Sequence, residues 1–237
     1  MKNKLICSGC KTENPFYAYT CIGCNAFLRA RIPNIDFWSI FSKLIETPIR
    51  AAESIIQSDH KNFVSVLLFI ASLKISINLW IINNAFSINE IISKHFIFSL
   101  IMGMISFTLA VILTSFLFSI TSKYFKAQTR FRDNLSIYVY AFLPLVMTFT
   151  ILTPVQIALF GAYWFTFNPS PLIIKELPSY IILMIEVLFF LWSILLLIVF
   201  NYTQLRNITL SVLLGILELI IIGGITMFGL YLFTLIG

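Results

Sequence analysis

The chain has 237 residues, 59% of them hydrophobic and only 11% charged, with a mean hydropathy of +0.94; this composition excludes an ordinary water-soluble domain. The net charge of +6 comes mainly from basic residues in the N-terminal arm and one later loop. Orientation in a bilayer calls for them there, so their placement argues against a nucleic-acid partner. Leu5-Ile6 is too short an apolar core for a secretory signal, and Ser8-Gly9-Cys10 fails as a lipoprotein box for the same reason.

All four cysteines fall near the N-terminus, as Cys7-x2-Cys10 and Cys21-x2-Cys24 with ten residues between the pairs. Two such knuckles can offer four thiolates at tetrahedral geometry, so a Zn2+ ion held by Cys7, Cys10, Cys21 and Cys24 is expected; two disulfides are the alternative. Compartment separates the two, because disulfides seldom persist in the cytoplasm. With no histidine nearby and no spare ligand, such a site is closed and structural rather than catalytic. A knob this small buries no core of its own, so metal binding would supply most of its folding energy. Gly9 and Gly23 sit inside the knuckles, where a tight turn lets backbone N–H groups approach the sulfurs.

A basic linker, Arg29-Ala30-Arg31 then Pro33-Asn34, leads to two short amphipathic segments. On a helical wheel Phe37, Trp38, Ile40, Phe41, Leu44 and Ile45 share one side, opposite Asp36, Ser39, Ser42, Lys43 and Glu46. Thr47-Pro48 restarts the chain, with Thr47 as N-cap and Pro48 at the first helical position. Ile49, Ala51, Ala52, Ile55 and Ile56 then face away from Arg50, Glu53, Ser54, Gln57 and Ser58. Two helices meeting at this elbow suit a chain lying along a membrane interface; packing of the apolar faces on the protein's own cytoplasmic end is the other reading.

Phe63–Ile82, Phe96–Ile120, Ser179–Phe200 and Ile208–Ile236 each reach the roughly 20 apolar residues needed to cross a bilayer core. Leu135–Phe167, interrupted by Pro144 and Pro154, is expected to hold one kinked crossing ending near Thr153. A short interfacial or re-entrant piece would follow through Trp164. Five spans result. Eight Lys and Arg residues precede the first span, Lys94 alone follows it, and Lys123, Lys126, Arg130 and Arg132 follow the second. This alternation places the N-terminus in the cytoplasm.

Lys74, Glu186 and Glu218 fall inside spans, where ionisable residues are expensive and mark candidate sites. At about 1.5 Å per residue, Lys74 and Glu218 lie at about 17 Å and about 16 Å from the cytoplasmic end, and Glu186 at about 21 Å. Matching depth favours a Lys74–Glu218 pair, with Glu186 as a third member. Such a cluster serves either as a fixed ion pair or as a proton or ion relay. Gly215, Gly223, Gly224 and Gly229 are expected to let the last span pack closely on a neighbour. No nucleophile–base pair, phosphate loop or His/carboxylate cluster asks for an enzyme.

The order of parts carries a resemblance. Cys7-Ser-Gly-Cys10 and Cys21-Ile-Gly-Cys24 resemble the zinc ribbons ahead of many microbial membrane proteins, departing at Ser8 and Lys11, where proline and glycine are common. Glu46-Thr-Pro48-Ile-Arg-Ala-Ala-Glu-Ser-Ile55, Phe131-Arg-Asp-Asn-Leu-Ser-Ile-Tyr-Val-Tyr140-Ala-Phe-Leu-Pro144 and Leu191-Trp-Ser-Ile194 are similar to the Yip domain family, proteins that interact with Rab-type GTPases. That resemblance implies a five-span bundle with a cytoplasmic N-terminus and no catalytic residues. The expected layout is a zinc ribbon (1–28), a linker with an amphipathic interfacial helix pair (29–61) and an all-α transmembrane bundle (62–237). The expected function is a non-enzymatic membrane scaffold, binding a protein partner at the zinc ribbon and able to form homo- or hetero-oligomers. The Ile/Asn/Lys/Phe bias suggests an AT-rich bacterial genome, and so the inner membrane. The alternative function is a small transporter or channel using Lys74, Glu186 and Glu218 as a polar path.

Overall fold

The computed structural model describes residues 4–89, 92, 95–125, 127 and 129–236. Lys2, Lys94 and Lys126, which carry part of the orientation count, lie outside the described residues. The chain opens with a hairpin of β1 (Lys4–Ile6) and antiparallel β2 (Glu13–Pro15), which carries the first knuckle in its connection. Then come β3 (Ile32–Asn34), α1 (Phe37–Glu46), α2 (Pro48–Gln57) and β4 (Ser58–His60). β3 and β4 pair in parallel, Ile32 against Ser58 and Asn34 against His60. The two helices thus form a loop pinned at both ends. The Asn62 amide completes the pin, donating to Ile35 O and accepting from Ile35 N, both at 2.9 Å.

Local chemistry sets the elbow. The Asp36 carboxylate caps α1 by accepting from the Trp38 and Ser39 N–H groups. α1 ends where Thr47 N–H bonds Lys43 O, and Pro48 opens α2 at a position that needs no N–H donor. Thr47 caps by backbone alone, since its side chain makes no capping bond. Ala51, Ala52, Ile55 and Ile56 of α2 are buried, so that apolar face packs on protein. α1 buries Ile40 and Leu44 but leaves Trp38 at 74% and Ile45 at 59% exposure, with Phe41 half-buried between them. The two readings of the elbow therefore divide between its helices: α2 is packed, while α1 keeps an uncovered apolar stripe.

The remainder is helical: α3 (Val64–Phe86), α4 (Phe96–Tyr124), α5 (Phe131–Ala141), α6 (Leu143–Met147), α7 (Thr153–Phe160), α8 (Tyr163–Thr166), α9 (Pro171–Ile174), α10 (Glu176–Leu205) and α11 (Ile208–Ile236). Among the described residues, five stretches are long and apolar enough to cross a membrane: Val64–Phe86, Phe96–Tyr124, Leu143–Phe160, Glu176–Leu205 and Ile208–Leu232. They point to an integral membrane protein.

The third stretch differs from expectation. It runs on past Thr153 to Phe160, because a π-helical turn over Thr148–Leu152 precedes Pro154. A wide turn of this kind suits a residue that has no N–H to donate to the preceding turn. The chain breaks instead at Phe142, between α5 and α6, and at Gly161, whose φ of 57° ends α7. Trp164, expected at a boundary, is 2% exposed and packs with Leu152, Phe160 and Ile182.

The chain forms two compact units. One holds Met1–Ser65, Ile112–Ala141 and Leu195–Glu218; the other holds Val66–Val111, Phe142–Ile194 and Leu219–Gly237. Within the first, α2 packs on both α1 and α5, and its Ala51, Ala52, Ile55 and Ile56 are buried. The expected glycine packing holds at Gly215 and Gly229 and fails at Gly223 and Gly224, which face open space. A Cβ on Gly229 would lie 1.8 Å from Ser106 Oγ and 2.6 Å from its Cβ. Gly229→Leu should therefore abolish the monodisperse folded species in size-exclusion chromatography, whereas Gly223→Ala should leave the melting temperature unchanged.

Candidate functional site

The four cysteines are free, and their sulfurs lie within 4.8 Å of one another. Cys7 and Cys24 are 3.6 Å apart and Cys10 and Cys21 3.4 Å, far beyond a disulfide bond of about 2.05 Å. Four sulfurs around one centre are compatible with a bound metal ion. Each knuckle closes in the same way: Lys11 N–H bonds Cys7 O and Asn25 N–H bonds Cys21 O, both at 3.0 Å. The residue after each second cysteine is left-handed, Lys11 at φ 60° and Asn25 at φ 57°. Asparagine tolerates this backbone; a lysine is strained in it. That explains why glycine is common at the place Lys11 occupies.

Asn14, not singled out from sequence, organises the second knuckle. It is fully buried; its amide donates to Thr12 O (2.9 Å) and to Cys21 Sγ (3.5 Å), and its oxygen accepts from Ile22 N–H (2.8 Å). Gly23 N–H also approaches Cys21 Sγ at 3.4 Å, and a Cβ on Gly23 would meet Thr12 Oγ1 at 2.8 Å. The Thr12 hydroxyl and backbone N–H hold the Cys10 thiol down to about 6, which favours the ligating thiolate.

The knob is tied to the elbow and to α5 by cations. Arg29 donates to Tyr17 O at 2.7 Å and to Gln57 O at 3.0 Å, joining the knob to the end of α2. Arg31 pairs with Asp59 across β3 and β4. The Arg130 guanidinium stacks 3.9 Å over the Tyr17 ring and donates to both Asp133 oxygens, at 2.7 and 3.2 Å. Asp133, 2% exposed, also takes Lys61 at 3.0 Å. Lys61, 5% exposed, caps the C-terminal end of α2 at Ile55 O and Ile56 O. Burial pushes the Lys61 ammonium below its ordinary value, and the Asp133 carboxylate opposes the shift. Arg206 pairs with Glu53 at 2.7 Å on the same elbow. Charges that orient the chain in sequence terms thus also dock the knob.

The intramembrane charges do not form the single cluster that depth favoured. The partner of Lys74 is Glu186, at 2.5 Å, and not Glu218. Depth along a helix says nothing of the direction a side chain takes around it, and a lysine is long enough to climb a turn. Gln156 donates to the same Glu186 oxygen at 2.8 Å, and Thr153 Oγ1 lies 3.4 Å from Lys74 Nζ. Glu218 is bound separately: Tyr138 OH donates to Oε1 and Asn201 Nδ2 to Oε2, both at 2.6 Å. The polar partners Gln156, Tyr138 and Asn201 were missed in sequence terms; their signal was a long polar side chain inside an apolar helix.

No family model, no curated protein and no solved structure matches this chain. The resemblance in the elbow and third span rests on the residues that carry it.

Two outcomes check this geometry. Asp133→Ala strands the buried Lys61 charge and should cost about 3–5 kcal/mol, read as a collapse of the melting temperature of the purified protein. Lys11→Gly relieves a left-handed lysine and should stabilise the knob by about 1 kcal/mol, read as slower metal loss to a chelator.

Proposed function

We propose that this protein is a non-enzymatic integral membrane scaffold of the Yip type, its N-terminal knob folded around a structural Zn2+ on the cytoplasmic side of a bacterial inner membrane. The observation that carries this reading is how the span charges are used. Lys74 is closed off by Glu186, and the Glu186 oxygen it binds is shared with Gln156. Both Glu218 oxygens are taken by Tyr138 and Asn201. Carboxylates held this way fix helix register and leave little for a mobile proton or ion. The zinc assignment is supported by the sulfur spacing and by the matching turns that close the two knuckles.

The knob would be the partner-binding end. It exposes Ile6 (67%), Ile22 (72%) and Phe27 (70%), large side chains on a tip with no core of its own. Its docking through Arg29, Arg130 and Lys61 would hold this surface at a fixed attitude to the elbow. The uncovered Trp38–Ile45 stripe of α1 would rest in the lipid interface. Homo- or hetero-oligomerisation through the spans completes the scaffold reading.

The test separates a fixed pair from a relay. Lys74→Met and Glu186→Leu should each lower the folded yield several-fold, and the double variant should restore it. Liposomes bearing the double variant and the wild type should show the same proton and ion leak. Flux that the wild type carries and the double variant lacks would replace the scaffold with a transporter.

A further inference from the structure

The second compact unit contains a cavity of about 370 Å³. Its wall is formed by α3, α4, α10 and α11 with Phe142, all within or beside candidate membrane spans, so a ligand would reach it from lipid. The surface is almost wholly apolar, set by side chains such as Ile75, Leu79, Phe107, Phe190 and Ile222. A volume of this size lies within the range of small-ligand pockets, which pair an apolar wall with a few placed polar groups.

Polar groups are present on this wall, and each keeps hydrogen-bonding capacity to spare. Glu186 lies on the cavity wall; its Oε1 takes Lys74 and Gln156, while its Oε2 makes no hydrogen bond among the described residues. Asn78, one helical turn beyond Lys74 on α3, is on the same wall and its amide makes no hydrogen bond among the described residues. Thr226, also on the wall, donates to Ile222 O at 2.6 Å and keeps its oxygen free to accept. Polar groups left unpaired in an apolar setting are costly, which points to a ligand that pairs them.

Charge decides the headgroup. Lys74 and Glu186 already neutralise each other at 2.5 Å. A cationic head would add an unbalanced buried charge, and an anionic one would face Oε2 directly. A hydroxyl does neither: it can donate to Glu186 Oε2 and accept from Asn78 Nδ2. We propose that this cavity binds a neutral, hydroxyl-bearing lipid, its alcohol between Glu186 and Asn78 and its hydrocarbon body along the apolar wall.

Gly223 gives a clean way to close the site, since it lines the cavity and a Cβ there would meet nothing within 4 Å. The full chain, purified in nanodiscs, would be exposed to a long-chain alcohol carrying a diazirine on its alkyl tail, and to the methyl ether of the same molecule. The alcohol should label peptides containing Phe190 or Ile222, saturably and with competition by unlabelled alcohol. The methyl ether should bind at least about tenfold more weakly, the size of one lost hydrogen bond to a charged acceptor. Asn78→Leu should weaken binding of the alcohol to a similar extent, and Gly223→Leu should remove labelling while the protein stays monodisperse. Equal labelling by alcohol and ether would overturn the proposal, as would labelling that survives Gly223→Leu or tighter binding of the corresponding long-chain amine. If Gly223→Leu does not fold, the ether comparison and Asn78→Leu decide between these outcomes.

Discussion

The N-terminal half of this protein depends on one buried carboxylate. Asp133 is almost fully enclosed and takes two cations, Lys61 from the end of the elbow and Arg130 from the turn before α5. Neither cation is spare: Lys61 also closes the carbonyl end of α2, and Arg130 also covers the Tyr17 ring of the knob. A buried ion pair contributes little net stability, but losing one partner is expensive, so the arrangement enforces a single geometry. Knob, elbow and α5 are therefore specified together. The parallel pairing of β3 with β4 and the Asn62 clamp close the elbow from its other side.

The same economy governs the spans. Lys74 and Glu186 meet each other, and Glu218 is met by two neutral donors, the pattern expected where water cannot solvate a charge. Gln156, Tyr138 and Asn201 belong to this chemistry as much as the charges do. Lys74–Glu186 differs from Tyr138–Glu218–Asn201 in one respect. The Glu218 carboxylate is used at both oxygens, whereas Glu186 has one oxygen left beside an apolar cavity. That asymmetry is why a lipid site is assigned to one carboxylate and a purely structural role to the other.

The elbow shows how one amphipathic pattern can serve two purposes. α1 and α2 are equally well sorted on a wheel, yet α2 buries its apolar face within the protein and α1 keeps Trp38 and Ile45 outside. Small residues make the difference. Ala51 and Ala52 let α2 approach another helix closely, and no comparable small pair lies on the apolar side of α1.

Much was legible in the chain itself. The two C-x2-C knuckles, the elbow at Thr47-Pro48 and five apolar stretches follow from spacing, periodicity and length, which are properties of neighbouring residues. Even the strain at Lys11 could be located by asking where glycine would ordinarily stand. What sequence could not supply was azimuth and partner choice. Depth counting put Lys74 with Glu218, and only the packed helices turned it toward Glu186. Pro154 read as the end of a span, because nothing local announces that a π turn will absorb it. The docking of the knob by Arg130, and the burial of Asp133 that makes it binding, depend on residues far apart in the chain; only tertiary structure brings such groups within hydrogen-bonding distance.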